Sequence, residues 1–267
     1  MKADGSKHPQ RGESAKTLSK LLVGTAFAVS VFCISGCANI ACSSLNTADV
    51  LSPGATKLIL KQTTQLTVQN LVPDYITDDV KPTEQFPALT TTQFGIGVSD
   101  IAEIDIEWPG ILPNAYLKLG CKLRLAGDDK FKLAIAPALS AGTKHTENFS
   151  WDKTVDNRWS SFTIYGAHAT LLASFSPIKN LSGTAAAKLE YYNIECFQTW
   201  DTYSNWTGGV AKTWNCTNYS LYLTPRLKLG RFVVMPEVGL YFYEHKGDAY
   251  KMIPVLNLAL GFDYDSL

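Results

Sequence analysis

From residue 55 onward, apolar and polar side chains alternate along the chain in stretches of about ten residues. Alternation with period two is the signature of a strand with two unlike faces. Ten such stretches are legible: Ala55–Gln69, Thr90–Ser99, Ala102–Trp108, Asn114–Ala126, Lys130–Thr143, Ser161–Ser176, Gly183–Glu195, Tyr219–Leu229, Phe232–Tyr243 and Met252–Tyr264. The sharpest pair places Glu103, Asp105 and Glu107 on one face of one strand, and Lys118, Lys122 and Arg124 on one face of the next. Joined through the short PGILP segment, these strands are expected to be antiparallel neighbours. Their acidic and basic rows would then lie side by side, where opposite charges stabilise cross-strand pairs.

The connections also alternate. Short ones fall around Asp100, at 127–129, at 177–180 and at Gly230-Arg231; longer ones cover 70–89, 109–113, 144–160, 196–218 and 244–250. This predicts an all-β, up-and-down antiparallel barrel of ten strands, with one quiet rim holding both chain ends and one elaborated rim. Aromatic residues gather near the strand ends. Phe94, Phe131, Phe175, Phe232 and Phe262 fall on the short-turn side; Trp108, Phe162, Tyr165, Tyr191, Tyr219 and Phe242 fall on the long-loop side. Two interfacial girdles would have this arrangement.

The pattern over residues 55–267 resembles the bacterial outer-membrane β-barrel proteins of OmpA/OmpX-like architecture, and the final LALGFDYDSL is similar to the terminal strand of that class, although it ends in Ser266-Leu267 instead of an aromatic. The resemblance implies membrane-spanning strands, outer-membrane lipids as partners and a location in the bacterial cell outer membrane. Alternation alone leaves two arrangements open. A soluble barrel is apolar inside, and a membrane barrel is apolar outside. Small residues on the polar face (Gly95, Gly97, Gly120, Ala134, Ala136, Gly239, Ala259 and Gly261) suit a crowded lumen, and the Leu-rich face is nearly free of charge, which favours the membrane arrangement.

Upstream, LLVGTAFAVSVFCISGC (21–37) is short for a spanning helix. It follows a basic segment and suits the apolar part of a signal peptide. Its end, Ile34-Ser35-Gly36-Cys37, resembles the lipobox of bacterial lipoproteins, which implies acylation of Cys37 after removal of residues 1–36. Residues 37–54 are small and polar and are expected to be a flexible linker ahead of the 55–267 barrel. The whole chain has 24 basic and 24 acidic residues. The leader holds five and two of them, leaving 19 against 22 and a net charge of −3. That balance argues against a nucleic-acid partner.

Within the barrel, Glu103, Asp105, Glu107, Lys118, Lys122 and Arg124, joined by Arg226 and Glu237, are expected to form a lumen charge network that either plugs a ten-strand barrel or lines a narrow pore. Cys196 and Cys216 bracket an aromatic segment, and an exported protein meets an oxidising compartment. A disulfide closing that loop is expected, which would contribute roughly 3 kcal/mol. Trp200, Tyr203, Trp206 and Trp214 in the 196–218 loop are candidates for contact with a surface partner or glycan. His168 stands alone in a strand and reads as a satisfied interior side chain. His145 near Glu147, Glu244-His245 and Asp78-Asp79 fall in long loops, where omptin-type surface proteases carry their acidic and histidine residues, but the motif of that family is not matched. No metal-ligand spacing, phosphate loop or dinucleotide fingerprint occurs, so no cofactor, metal or catalytic residue is expected. The expected role is that of a lipid-anchored outer-membrane barrel, not an enzyme, with a structural, surface-exposed or narrow-pore function. The alternatives are a soluble lipidated barrel binding a small apolar ligand and an omptin-like surface hydrolase.

Overall fold

The computed structural model describes residues 39–67, 71, 88–109, 116–148, 157–178, 180–201, 207–245 and 249–264. Among these described residues eleven strands follow in chain order: β1 (Asn39–Ala41), β2 (Thr56–Thr67), β3 (Ala88–Ser99), β4 (Ala102–Pro109), β5 (Leu117–Gly127), β6 (Phe131–Asn148), β7 (Asn157–Ile178), β8 (Leu181–Asp201), β9 (Thr207–Leu229), β10 (Phe232–His245) and β11 (Ala249–Tyr264). From β2 to β11 each strand pairs antiparallel with the next, and β11 returns to β2 with Leu258 opposite Gln62 and Tyr264 opposite Thr56. The ten strands therefore close into a barrel with no open edge along the paired stretches.

The barrel is apolar outside and polar inside. On β9 the outward side chains Leu229, Leu227, Leu223, Leu221 and Tyr219 are exposed, while Ser220, Tyr222 and Thr224 between them are buried. The apolar exterior spans eleven residues on three neighbouring strands, from Phe175 to Tyr165, from Leu181 to Tyr191 and from Leu229 to Tyr219. A tilted strand needs about 9–11 residues to cross a bilayer. Aromatic rings mark both borders: Tyr219 stacks on Phe242 at 4.8 Å and meets Tyr250 at 5.2 Å, and Phe232 meets Phe262 edge-on at 5.5 Å. Phe162, expected in the upper girdle, points inward instead and is buried.

Strands β6 to β9 run well past this belt. The stretches 144–160 and 196–218, expected to be long loops, are largely strand: β6 reaches Asn148, β7 begins at Asn157, β8 reaches Asp201 and β9 begins at Thr207. Above Tyr219 and Tyr191 the outward positions turn mainly polar (Thr217, Asn215, Thr213 and Glu195), with Phe197 exposed among them, so the continuous apolar belt ends although the ladder continues.

This extension overturns the expected Cys196–Cys216 disulfide. Both side chains point inward and are buried, as their parity requires, but Cys196 lies opposite Lys212 and Cys216 opposite Tyr192. That is an offset of four residues along paired strands, about 13 Å at strand rise, against a bridging limit near 7 Å between Cα atoms. Both thiols are free. Intact mass of the purified protein is therefore expected to be unchanged by reductant, with Cys42, Cys121, Cys196 and Cys216 all alkylated on unfolding without reductant. A gain of two mass units on reduction would contradict this arrangement.

Candidate functional site

Residues 39–54, expected to be a flexible linker, instead form an ordered strap inside the barrel. β1 pairs with the end of β2 nearest the longer connections, with Ile40 opposite Leu66, and both side chains are fully buried. From there the chain descends through the lumen to the rim of tight turns. At that rim Ser52-Pro53-Gly54-Ala55 reverses it into β2, with the Ala55 amide donating to the Ser52 carbonyl at 2.9 Å. Proline suits the second position of such a turn. The third requires positive φ, and Gly54 supplies it at 79°. Gly97 on β3 lets the turn press against the wall: a Cβ there would lie 2.1 Å from the Ser52 carbonyl oxygen. The described chain thus starts at the long-connection end, whereas Tyr264 pairs with Thr56 at the turn rim. The two ends do not share the quiet rim.

Glu237 on β10 fixes the middle of the strap. Its carboxylate accepts from Ser43 Oγ (2.9 Å), the Ser44 amide (3.2 Å), Ser44 Oγ (2.6 Å) and the Leu45 amide (2.7 Å), and from Thr224 Oγ1 (3.0 Å) and Asn257 Nδ2 (2.8 Å) on the wall. Asn257 also donates to the Cys42 carbonyl at 2.9 Å, and Lys188 donates to the Ser43 carbonyl at 3.0 Å. Sequence reasoning placed Glu237 in the charge network; the structure makes it the strap's receptor. Below it, Leu45 packs on Ile59, Val233, Met235 and Ala259. Asp49 pairs with Lys132 (2.7 Å) and Arg226 (3.1 Å), and the Leu51 amide donates to Glu103 at 3.1 Å.

The acidic and basic rows meet in the expected register, Glu103 opposite Lys122 and Glu107 opposite Lys118. The network also draws on β2. Lys57 contacts Glu103 and lies 2.8 Å from Asp105; Lys122 lies 3.1 Å from Glu103; Lys61 and Lys118 lie 3.0 and 3.7 Å from Glu107. Lys57 and Lys61 escaped sequence reasoning, although their spacing four apart, on the face opposite Leu58 and Leu60, carried the signal. Arg124 stands apart from the row: its guanidinium donates to the Asp100 carbonyl in the turn after β3. Removing one partner of a buried pair strands the other charge and costs about 3–5 kcal/mol.

A second cluster surrounds His168 on β7. Its Nε2 lies 2.7 Å from Ser140 Oγ and 3.1 Å from the Tyr116 hydroxyl, and its Nδ1 lies 3.1 Å from Glu190. Glu190 also accepts from Tyr192 (3.0 Å) and Tyr241 (2.7 Å), with the Lys188 ammonium at 2.5 Å. Hydroxyl, imidazole and carboxylate stand in the order of a nucleophile relay. Yet Ser140, His168 and Glu190 are all buried, and the Tyr116 hydroxyl competes with Ser140 for the same nitrogen, Nε2, of the imidazole. The cluster is an interior polar network, in keeping with the expected satisfied histidine.

Of the four aromatic candidates, Trp214 lies on β9, half-buried and packed against the apolar part of the lumen, and Trp200 lies on β8 opposite Gly208. Tyr203 and Trp206 lie outside the described residues, as do Cys37 and Asp78-Asp79. His145 is on β6 and His245 on β10, four strands apart around the barrel, so the structure does not bring them together.

No family model matches the chain, and no curated relative matches it. Among solved structures it is similar to the outer membrane protease OmpT of Escherichia coli (7% identity, TM-score 0.43, covering 79% of this chain and 93% of that one). It is similar to the translocator domain of the autotransporter NalP of Neisseria meningitidis (8%, TM-score 0.43, covering 95% and 97%). A third is Ail, the attachment invasion locus protein of Yersinia pestis (10%, TM-score 0.34, covering 79% and 99%). These values describe a broad architectural likeness and carry no chemistry.

Replacing Glu237 by Ala leaves several buried donors without an acceptor, each costing about 1–3 kcal/mol. Glu237→Ala is expected to lower stability by on the order of 3 kcal/mol or more, and Glu237→Gln, which keeps one acceptor oxygen, by less. Thermal unfolding in detergent would show this; an alanine variant as stable as the parent would contradict the strap's attachment.

Acid should also loosen the strap at Asp49. Burial raises the carboxyl's pKa, but the Lys132 hydrogen bond, with the charges of Lys132 and Arg226, outweighs it and leaves the pKa below the usual value. A depressed folded-state pKa gives stability that is present above the unfolded value and is lost as pH falls through the folded one. Below the usual carboxylate range, cleavage within 42–54 by an acid-active protease is expected to rise more steeply in the parent than in Asp49→Asn. Parallel profiles would remove Asp49 from the account.

Proposed function

We propose that this chain is an outer-membrane β-barrel protein whose lumen is closed by its own N-terminal strap, with a structural or surface-exposed role. The observation that carries the reading is the inverted distribution of polarity. Exposed leucines such as Leu139 (68%) and Leu256 (73%) face outward, while Lys57, Lys61, Lys122 and Lys188 are buried inside. A soluble barrel binding an apolar ligand needs the opposite arrangement. The belt length and the aromatic borders support insertion in a bilayer.

The strap favours closure over an open pore. Ten strands enclose an interior little wider than the eight-strand barrels whose side chains fill the lumen, and here a second layer of chain runs through it. If the tight turns face the periplasm, as in the barrels this one resembles in architecture, Asn39 lies toward the outer surface. Cys37 is within about 7 Å of it along the chain. Acylation of Cys37 would then anchor the strap's entry at the outer leaflet. The polar extension of β6 to β9 supports a surface role, with Trp200 on β8 and, in the sequence between β8 and β9, Tyr203 and Trp206 as the contact residues for a partner or glycan. The buried state of the Ser140–His168–Glu190 cluster and the separation of His145 from His245 speak against an omptin-like hydrolase.

Planar-bilayer recording tests the closed lumen. The parent protein is expected to be silent, and deletion of residues 39–51, which keeps the Ser52–Ala55 turn, is expected to give stepwise ion conductance. An intact protein that conducts as freely as the deletion would overturn closure by the strap.

A further inference from the structure

At the turn rim the strap leaves part of the lumen unfilled. The remaining space is a cavity of about 540 Å³ between the strap and the wall. Its lining is strongly basic: Lys57, Lys122, Lys130, Lys132, Arg226 and Lys228, against Asp49, Glu103 and Asp129. Glu103 is shared by Lys57 and Lys122, with Lys57 also reaching Asp105 outside the cavity lining, and Asp49 is shared by Lys132 and Arg226, so the six lining cations outnumber the lining acids. Ser182 and Asn180 add polar groups to the same wall. A concave site with low-dielectric walls and excess charge of one sign concentrates the opposite ion.

Asp49 is the distinctive group. It is the strap's own carboxylate, inserted between an ammonium on β6 and a guanidinium on β9. Arginine and lysine together are a common means of holding phosphate oxygens. We propose that this vestibule binds a small multivalent oxyanion of the phosphate class, that Asp49 is a tethered competitor for the same two cations, and that the oxyanion, by displacing Asp49, loosens the strap. This deepens, and rests on, the closed-lumen reading given above. The retained contacts at Glu237 lie higher in the barrel, so displacement begins at the turn rim.

Inorganic pyrophosphate is the probe, titrated by calorimetry into the full chain in detergent, with the fold of each variant checked by its heat-dependent gel mobility. The parent is expected to bind. Lys132→Gln and Arg226→Gln are each expected to weaken binding by about tenfold, the worth of one charge-assisted hydrogen bond. Asp49→Asn is expected to tighten it by a similar factor, because the competing carboxylate is gone. A general loss of structure weakens binding and would not produce that gain. Pyrophosphate added on the turn-rim side of a bilayer is further expected to raise conductance of the parent protein. Binding no tighter in Asp49→Asn, or conductance unmoved by pyrophosphate, would overturn this proposal. Parent protein that conducts freely before pyrophosphate is added would instead overturn the closed lumen on which it rests.

Discussion

A carboxylate sealed inside a barrel has to be met by cations or by a full set of donors, because burying it otherwise costs several kcal/mol. Glu237 is met by six hydrogen bonds, four of them from Ser43, Ser44 and Leu45. The wall alone offers Thr224 and Asn257, so the strap completes what the barrel lacks. The dependence is mutual. A segment as small and polar as residues 42–54 has little apolar surface with which to hold itself in place, and the wall's carboxylates hold its amides and hydroxyls.

The same requirement organises the rest of the interior. Lys57, Lys61, Lys118 and Lys122 are arranged around Glu103, Asp105 and Glu107, and Lys188 and His168 around Glu190. These groups fill the lumen with matched charge while leucines cover the outside. Such pairs add less to stability than their number suggests, because each ion was desolvated to form them. They do fix one register: a slip of one residue would carry every lysine of β2 to the apolar exterior. Higher in the lumen, where the strands rise past the belt, apolar groups replace charge. There Ile40 and Leu66 join Phe162, Ile164, Ile194, Cys196 and Cys216 in a buried cluster.

Much of this was legible in the sequence where a feature is local. Alternation gave the ten strands, and the acidic row from Glu103 and the basic row from Lys118 paired as their spacing required. The upper parts of β6 to β9 were not legible, because above the belt the alternation changes phase: outward positions such as Thr213, Asn215 and Thr217 are polar, while Trp214 and Cys216 between them face the lumen. The cysteine pairing failed for the same reason: a supposed loop stem was continuous ladder, which set Cys196 and Cys216 four residues out of register. The strap was invisible for a different one. Residues 38–54 have the composition of a linker, and what orders the strap from residue 39 onward are partners such as Glu237 and Asn257, 194 and 215 positions away in sequence. No window along the chain contains that information.

Residues 42–54 are held inside the barrel, and amide hydrogen exchange on the full chain in detergent reads that out residue by residue. The Ser44 and Leu45 amides donate to Glu237, and the Cys42 amide to the Thr64 carbonyl at 2.8 Å. These amides are expected to be protected to a degree comparable to the neighbouring wall strands β2 and β10. Exchange of the 42–54 segment at the rate of an unstructured peptide, beside protected wall strands, would contradict this placement.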